Sequence, residues 1–569
     1  MLLTHVTIEN FRGIRALDLE LDGVTALIGE NNYGKTSTLD ALMICLGAGA
    51  EGTDFAFEVS DFHEPADAAT PFAPAPIRFV LTFDARDGSE ADLPEASPLR
   101  RAIIDGPSKR HRVRLTVHAT RDDGGIHATW AFVDAAGHPL ADAADPALLV
   151  ELRHRHPMLL LRSDFRADTE VETHDQGGAG ADDLSGDGRR RRLEAEILRA
   201  YRALMEVRTE PKPADIARGL AAADLLYGET PARSTETSGP PPRLIEALVE
   251  APGAQRGSAP RTGSVRRAGA GTHSVARLAL VGAMLAARGG RRLATGAHPI
   301  VALEDPEVHL HPVMLASLWE LIDQVPAQKI ISTNSGELLA SVPMHAVRRL
   351  ERRPDRVHVH QLRTDALTLD ELRRVGYHIR VNRASAMFAR CWLLVEGETE
   401  FWLLPELARL CGYHFPAEGV RCLEFAQCGV EPLLKLANGL GIPWHVLADG
   451  DPAGRAYAEL AREQLAGALA ADHVTQLRQR DIEMCLWTNG YAEIYRRAAG
   501  LVDDVGRVLP PSRHEKPPAV IARAIRSASK PRLALDVAEA ANAPGSPGVP
   551  AALRQTVEAV VRLARAVGR

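Results

Sequence analysis

VTALIGENNYGKTSTLDALMICL, Val24 to Leu46, decides the fold. Its first five residues have the apolar, partly β-branched character of a buried strand, and its last eleven have helix-forming character. Between them GENNYGKT, Gly29 to Thr36, matches G-x-x-x-x-G-K-[ST]. A Gly-rich turn joining a strand to a helix aims backbone N–H groups and the helix N-terminus at one point, where an anion is stabilised. Lys35 is placed to reach β- and γ-phosphates, and Thr36 offers a hydroxyl to Mg²⁺. Gly29, Asn32, Gly34, Lys35, Thr36 and Ser37 are therefore the candidate ligands of ATP with Mg²⁺.

Around this loop the first 150 residues or so alternate short β-like runs (HVTIENF, IRFVLTF, HRVRLTV) with helix, an α/β pattern. PIVALEDPE, Pro299 to Glu307, ends a second apolar strand in Glu304 and Asp305, acids suited to holding Mg²⁺ and orienting water. A further strand, KIISTNS, places Asn334 just beyond its end. Two stretches have linker composition: DTEVETHDQGGAGADDLSGDGRRRR, ending at Arg192, and a Pro/Gly/Ser/Arg-rich segment from Gly228 to Gly271. LEAEILRAYRALMEV and DIARGLAAADLLYG between them read as an inserted helical module. His309 and His311 in HLHP lack further ligands nearby in sequence and read as structural.

The β/α alternation restarts after Arg390 with WLLVEGETEFWLLPEL, Trp392 to Leu407. Glu396, Glu398 and Glu400 lie within five positions there, and carboxylates so close raise one another's pKa unless a cation compensates them. If the chain leaves its strand at Glu396 and turns at Gly397 into a helix, Glu396 and Glu400 share a side while Glu398 points elsewhere. A later apolar strand, PWHVLADGD, closes on Asp449 and Asp451. Ligands of parallel sheets sit beyond the carboxyl ends of the strands, so four carboxylates are expected at one edge. Such a cluster suits two divalent cations about 3.5–4 Å apart acting on a phosphodiester. Oxygen ligands favour Mg²⁺ or Mn²⁺ over zinc.

Composition narrows the setting. The 569 residues are 45% hydrophobic, enough for several cored domains, and the six cysteines form no C-x-x-C pair. No signal peptide and no run of about 18 uncharged apolar residues is apparent, so a cytoplasmic protein without a membrane segment is expected. The net charge of −7 offers no global attraction to nucleic acid. From Arg507 to Arg569, however, eleven basic residues against four acidic leave seven positive charges, a local match for phosphates. The run Arg189 to Arg192 reads as a solvated linker.

IENFRGI, the phosphate loop, EDPEVHLHP and STNSGELL resemble the ABC-type ATPases of the SMC and RecF group. Three departures stand out: the acidic pair is reversed to Glu-Asp, Asn334 replaces a switch histidine, and the signature loop is reduced to GAGTHSVARLAL around Gly271 and Ser274. The resemblance thus implies slow turnover, with ATP acting mainly as a conformational ligand. The later segment resembles a Toprim domain, through Glu396 followed by Asp449-Gly450-Asp451. An ABC-type ATPase followed by Toprim is similar to the overcoming-lysogenization-defect nucleases, class 2, through FARCWLLVEGETEFWLLPELARLCG, FAQCG and WHVLADGDPAG.

The resemblance implies a P-loop ATPase over 1–165 and 271–380, a helical insertion within 166–270, and a Rossmann-like Toprim nuclease domain with a basic helical extension over 381–569. It implies Glu396, Glu400, Asp449 and Asp451 as metal-binding catalytic residues. Asp481 and Glu483, from RDIEMCLW, become further ligands, and Lys530, from SASKPRLAL, the cation beside the scissile phosphate. DNA and ATP are the implied partners, a homodimer the implied assembly, and phage defence or DNA repair the implied setting. Three other classes stay open: a Toprim topoisomerase using Tyr491 or Tyr495, a primase, and an SMC-like clamp that binds DNA without cutting.

Overall fold

The computed structural model describes residues 1–47, 55–64, 75–85, 93, 94, 96–106, 111–162, 186–205, 213–227, 280–282, 284, 285, 297–308, 312–381, 383–465, 467–501 and 516–567. It divides into two compact units, Met1–Val359 and His360–Arg569, each of α/β architecture.

The first unit is built on a twelve-stranded sheet that changes character along its length. At one end the strands β1 (Leu2–Phe11), β2 (Ile14–Glu20), β4 (Ile77–Asp84), β5 (Ile104–Asp105), β6 (His111–Asp122) and β7 (Gly125–Phe132) pair antiparallel. β1 shows why: its buried positions roughly alternate with half-exposed ones, as a strand with one face on the core must. At the other end β11 (Val347–Arg352), β3 (Val24–Ile28), β10 (Gln328–Ser332), β9 (Ile300–Glu304) and β8 (Met158–Arg162) run parallel in that order. Strands covered on both faces read as unbroken apolar runs, and IVALE and VTALI do. Parallel pairing in register brings the exits of β3, β9 and β10 to one edge. β12 (Val357–Gln361) pairs with β2 and carries the chain across the boundary.

The second unit holds a four-stranded parallel sheet in the order β14 (Val420–Glu424), β13 (Cys391–Val395), β15 (Trp444–Ala448), β16 (Val474–Gln476). The helices Glu398–Leu410, Lys530–Asn542 and Ala551–Ala566 pack together over β13 and β15, around buried Leu403, Leu407, Val537, Leu553, Val557 and Val560. The helices Val430–Gly439 and Pro452–Glu463 form another packed pair.

The contact boundary falls between Val359 and His360, and Lys435 holding Glu371 at 2.9 Å and Arg383 holding Glu424 at 2.6 Å tie residues after 360 to the second unit. The expected linker ending at Arg192 is helical from Gly186, since Gly186–Met205 packs against Pro213–Tyr227 and buries Ile197, Ala200 and Tyr201. The last helix of the basic tail supplies part of the core from its apolar face. His309, His311, Gly271 and Ser274 lie outside the described residues.

Candidate functional sites

The phosphate loop leaves β3 at Gly29, whose φ is +146°; a Cβ there would stand 2.6 Å from the Leu350 carbonyl oxygen. Only glycine lets β11 approach so closely. Asn32 at φ 67° and Gly34 at φ 95° complete the turn into the helix Lys35–Leu46. No side chain caps that helix, so its first N–H groups remain directed at the loop. Lys35 is buried and donates to the carbonyls of Gly29 (2.5 Å) and Glu30 (3.2 Å). Burial lowers its pKa, while Asp305, Glu307 and Glu30 oppose that shift. Thr36 is exposed and Ser37 half-buried at the helix start.

Asp305 follows β9 at φ 41°, its Oδ1 buried without a hydrogen-bond partner and its pKa raised by burial and by Glu307. Glu304, the last residue of β9, pairs with Arg162 at 3.0 Å. Asp305, Glu307 and Glu30 are the acids that act on Lys35. Arg162 also binds Asp40, which is shared with Arg12. Glu307 accepts from the Asn334 amide at 2.6 Å and from Thr333 Oγ1 at 2.9 Å, linking the exits of β9 and β10. Its presence in PIVALEDPE was the only sequence signal for it.

In the second unit Val395 is in register with Leu447, so Glu396 and Asp449 emerge side by side from β13 and β15. Gly397 is extended, and the helix that follows places Glu400 in the interior while Glu398 is exposed, as their spacing predicts. Gly450 lets the chain pass the 477–479 backbone: a Cβ there would meet the Gln479 carbonyl oxygen at 2.3 Å. That passage brings in Asp481 and Glu483. A cleft of about 260 Å³ is lined by Glu396, Glu400, Asp449, Asp481, Glu483 and Lys530. Lys530 Nζ lies 3.6 Å from Glu483 Oε1, which also accepts from Thr399 Oγ1 at 2.8 Å. Thr399, hidden between two glutamates in GETE, was missed by sequence reasoning.

The acids press on one another. Burial, then Glu483 and Glu396, push Glu400 up to about 7, and burial with Glu400, Glu396 and Glu483 pushes Asp449 up to about 8. Glu396 is also raised, by burial and Asp451 first, and its Oε2 is buried with no hydrogen-bond partner. Among the described residues no three such side chains already form a coordination shell. The repelling carboxylates and the orphaned oxygen nevertheless fit a divalent cation bound by oxygen.

Two expected ligands also cap helices. Asp451 Oδ1 caps the helix Pro452–Glu463 through the Gly454 amide (2.7 Å), and Asp451 does not line the cleft. Asp481 caps the helix Ile482–Leu486 through Met484 N (2.8 Å) and accepts from Arg480 Nε (2.7 Å). Tyr495 is fully buried and Tyr491 donates to the Gly548 carbonyl at 2.7 Å, so neither tyrosine is presented as a nucleophile. Of the basic tail, Arg532, Arg562 and Arg565 pair with Asp536, Asp472 and Glu418.

Residues 1–386 match the family described as "Protein of unknown function (DUF2813)", and residues 387–451 match "Overcoming lysogenization defect protein-like, TOPRIM domain". A protein of Escherichia coli K12, "Uncharacterized protein YbjD", is 34% identical over 593 aligned positions, covering 99% of both chains. The "OLD nuclease" of Thermus scotoductus is 25% identical over 79% of this chain and 82% of its own. The solved SMC head domain from Thermotoga maritima covers 64% of this chain and 100% of its own at 11% identity, with a TM-score of 0.30 that supports no conclusion.

Proposed function

On the premise that the chain belongs to the DUF2813 family and, by its Toprim segment, to the overcoming-lysogenization-defect family, we propose that it is a metal-dependent DNA endonuclease governed by ATP binding. The observation that carries this reading is the single cleft that gathers Glu396, Glu400, Asp449, Glu483 and Lys530 from distant parts of the second unit.

Glu396, Glu400 and Asp449 would hold Mg²⁺ or Mn²⁺, with Glu483 and Asp481 in the same cleft and Asp451 acting on Glu396. Bound divalent ions supply Lewis-acid stabilisation of the attacking and leaving oxygens of a phosphodiester. Thr399 fixes Glu483, which in turn holds the Lys530 ammonium at the cleft, where it meets a phosphate's negative charge. Arg480 lies on the same rim and adds to the attraction for a polyanion. In the first unit Lys35, with Gly29, Asn32, Gly34, Thr36 and Ser37, binds ATP with Mg²⁺, and Asp305 and Glu307 stand opposite. Glu307 ties Asn334 to that acid pair, so occupancy of the nucleotide site is felt at the exit of β10. The working protein is a cytoplasmic homodimer.

The reading is tested with supercoiled plasmid in Mg²⁺ or Mn²⁺. Glu400→Ala and Asp449→Ala abolish nicking, whereas Lys35→Ala chiefly removes nucleotide binding. Full cleavage by Asp449→Ala would refute the acidic centre.

A further inference from the structure

One wall of the acidic cleft is not polar at all. Pro518, Ile521, Ala522 and Ile525 line it, all from the helix Pro517–Ser527. Their spacing of three and four residues sets them along one stripe. Ile521 is buried beneath that stripe, while Pro518 and Ala522 are exposed and Ile525 is half-buried. The same helix carries Arg523 and Arg526, both exposed, outside the stripe. Glu396, Glu400, Asp449, Lys530 and Arg480 line the same cleft. Its lining is thus two-sided in chemistry, with charge from these residues and hydrocarbon from one helix. At about 260 Å³ it is smaller than the roughly 300–1,000 Å³ pockets that enclose whole small-molecule ligands, so it admits one link of a polymer.

A nucleotide is two-sided in the same way, with an anionic phosphate and a sugar whose C1′–C2′ edge is apolar only when the sugar is deoxyribose. Resting on the proposed nuclease reading, we infer that the stripe Pro518–Ala522–Ile525 is a sugar subsite that accepts the deoxyribose next to the cleaved phosphodiester and rejects ribose. The side chains of the stripe carry no hydrogen-bond donor or acceptor. A 2′-hydroxyl pressed against them loses its water without a replacement partner, which is unfavourable. An apolar pocket rejects an added hydroxyl by about 100-fold at most, so the expected preference for DNA at this subsite is roughly 10- to 100-fold. The stripe lines the same cleft as the acids and Lys530, which argues for the sugar of the bound nucleotide as its occupant.

The test uses the full-length protein and single-stranded oligonucleotides of one sequence, made as DNA, as RNA, and as 2′-fluoro RNA, which keeps the ribose pucker but lacks the hydroxyl. Binding is read by fluorescence anisotropy in EDTA and cleavage in Mn²⁺, for wild type, Ala522→Ser and Ile525→Thr. The inference expects RNA to be disfavoured about 10-fold or more, 2′-fluoro RNA to behave as DNA does, and both substitutions to narrow the DNA-to-RNA ratio to within about threefold. Equal handling of DNA and RNA overturns it. So does a 2′-fluoro RNA that behaves like RNA, or a ratio unmoved by either substitution. Binding of DNA with no cleavage by wild type in Mn²⁺ or Mg²⁺ sinks the nuclease reading instead, while the anisotropy ratios still decide the sugar subsite.

Discussion

A cluster of acids built to hold cations should weaken the fold when no cation is present, and Glu400 measures by how much. Its side chain is 5% exposed, and its pKa is raised from 4.5 to about 7. Between those values the folded protein keeps a proton that the unfolded chain has released. The group's contribution to stability is therefore full below pH 4.5 and is lost as pH rises through about 7. That rise in pKa, at 1.36 kcal/mol for each tenfold change in proton affinity, sets a ceiling of about 3 kcal/mol above pH 7. The solvent at the mouth of the cleft screens part of this, leaving about 1–2 kcal/mol. Glu400→Gln keeps the shape and removes the charge. In EDTA at pH 8 the variant should melt about 2–6 °C above wild type in the transition of the second unit. At pH 4.5 the two proteins should melt together. Millimolar Mg²⁺ should raise the wild type and leave the variant nearly unmoved, because a ligand stabilises only the state that binds it. A variant that melts at or below wild type in EDTA at pH 8, or whose gain is the same at pH 4.5, would show that the acids do not repel as argued.

Two further expectations follow from the same geometry. Gly450→Ala places a Cβ 2.3 Å from the Gln479 carbonyl oxygen, so it should cost about 1–3 kcal/mol, whereas Gly376→Ala, with nothing within 4 Å of its Cβ, should be neutral. Thermal denaturation of the two variants checks this, and equal melting temperatures would count against the close passage of the two loops. Because Asp449 rises to about 8 and Glu400 to about 7, binding of Mg²⁺ or Mn²⁺ at pH 7 should release protons and weaken as pH falls to 6. Calorimetric titration in buffers of different ionisation enthalpy measures the release, and metal binding without proton loss would contradict the raised carboxyls.

The phosphate loop was legible in the sequence because it is contiguous: Ile28, Gly29, Gly34 and Lys35 are neighbours in the chain, and a strand, a turn and a helix position them with little help. The emergence of Glu396 and Asp449 at one sheet edge could also be anticipated, since apolar runs ending in acids followed by helices imply parallel strands. What each acid does was decided by partners far away in sequence. Glu304 is paired by Arg162, some 140 positions earlier, and Glu307 joins Asp305 in acting on Lys35. Asp481 lines the cleft and Asp451 does not, although each spends an oxygen on a helix N-terminus, a choice set by local backbone geometry. Lys530 owes its position to the packing of its helix against Glu398–Leu410. The sequence by itself determined the α/β units, the phosphate loop and the strand-end acids, because each depends on residues within one turn or one strand. Tertiary structure alone decided which carboxylates face one another, because pairing of charges depends on distances through space that no local spacing encodes.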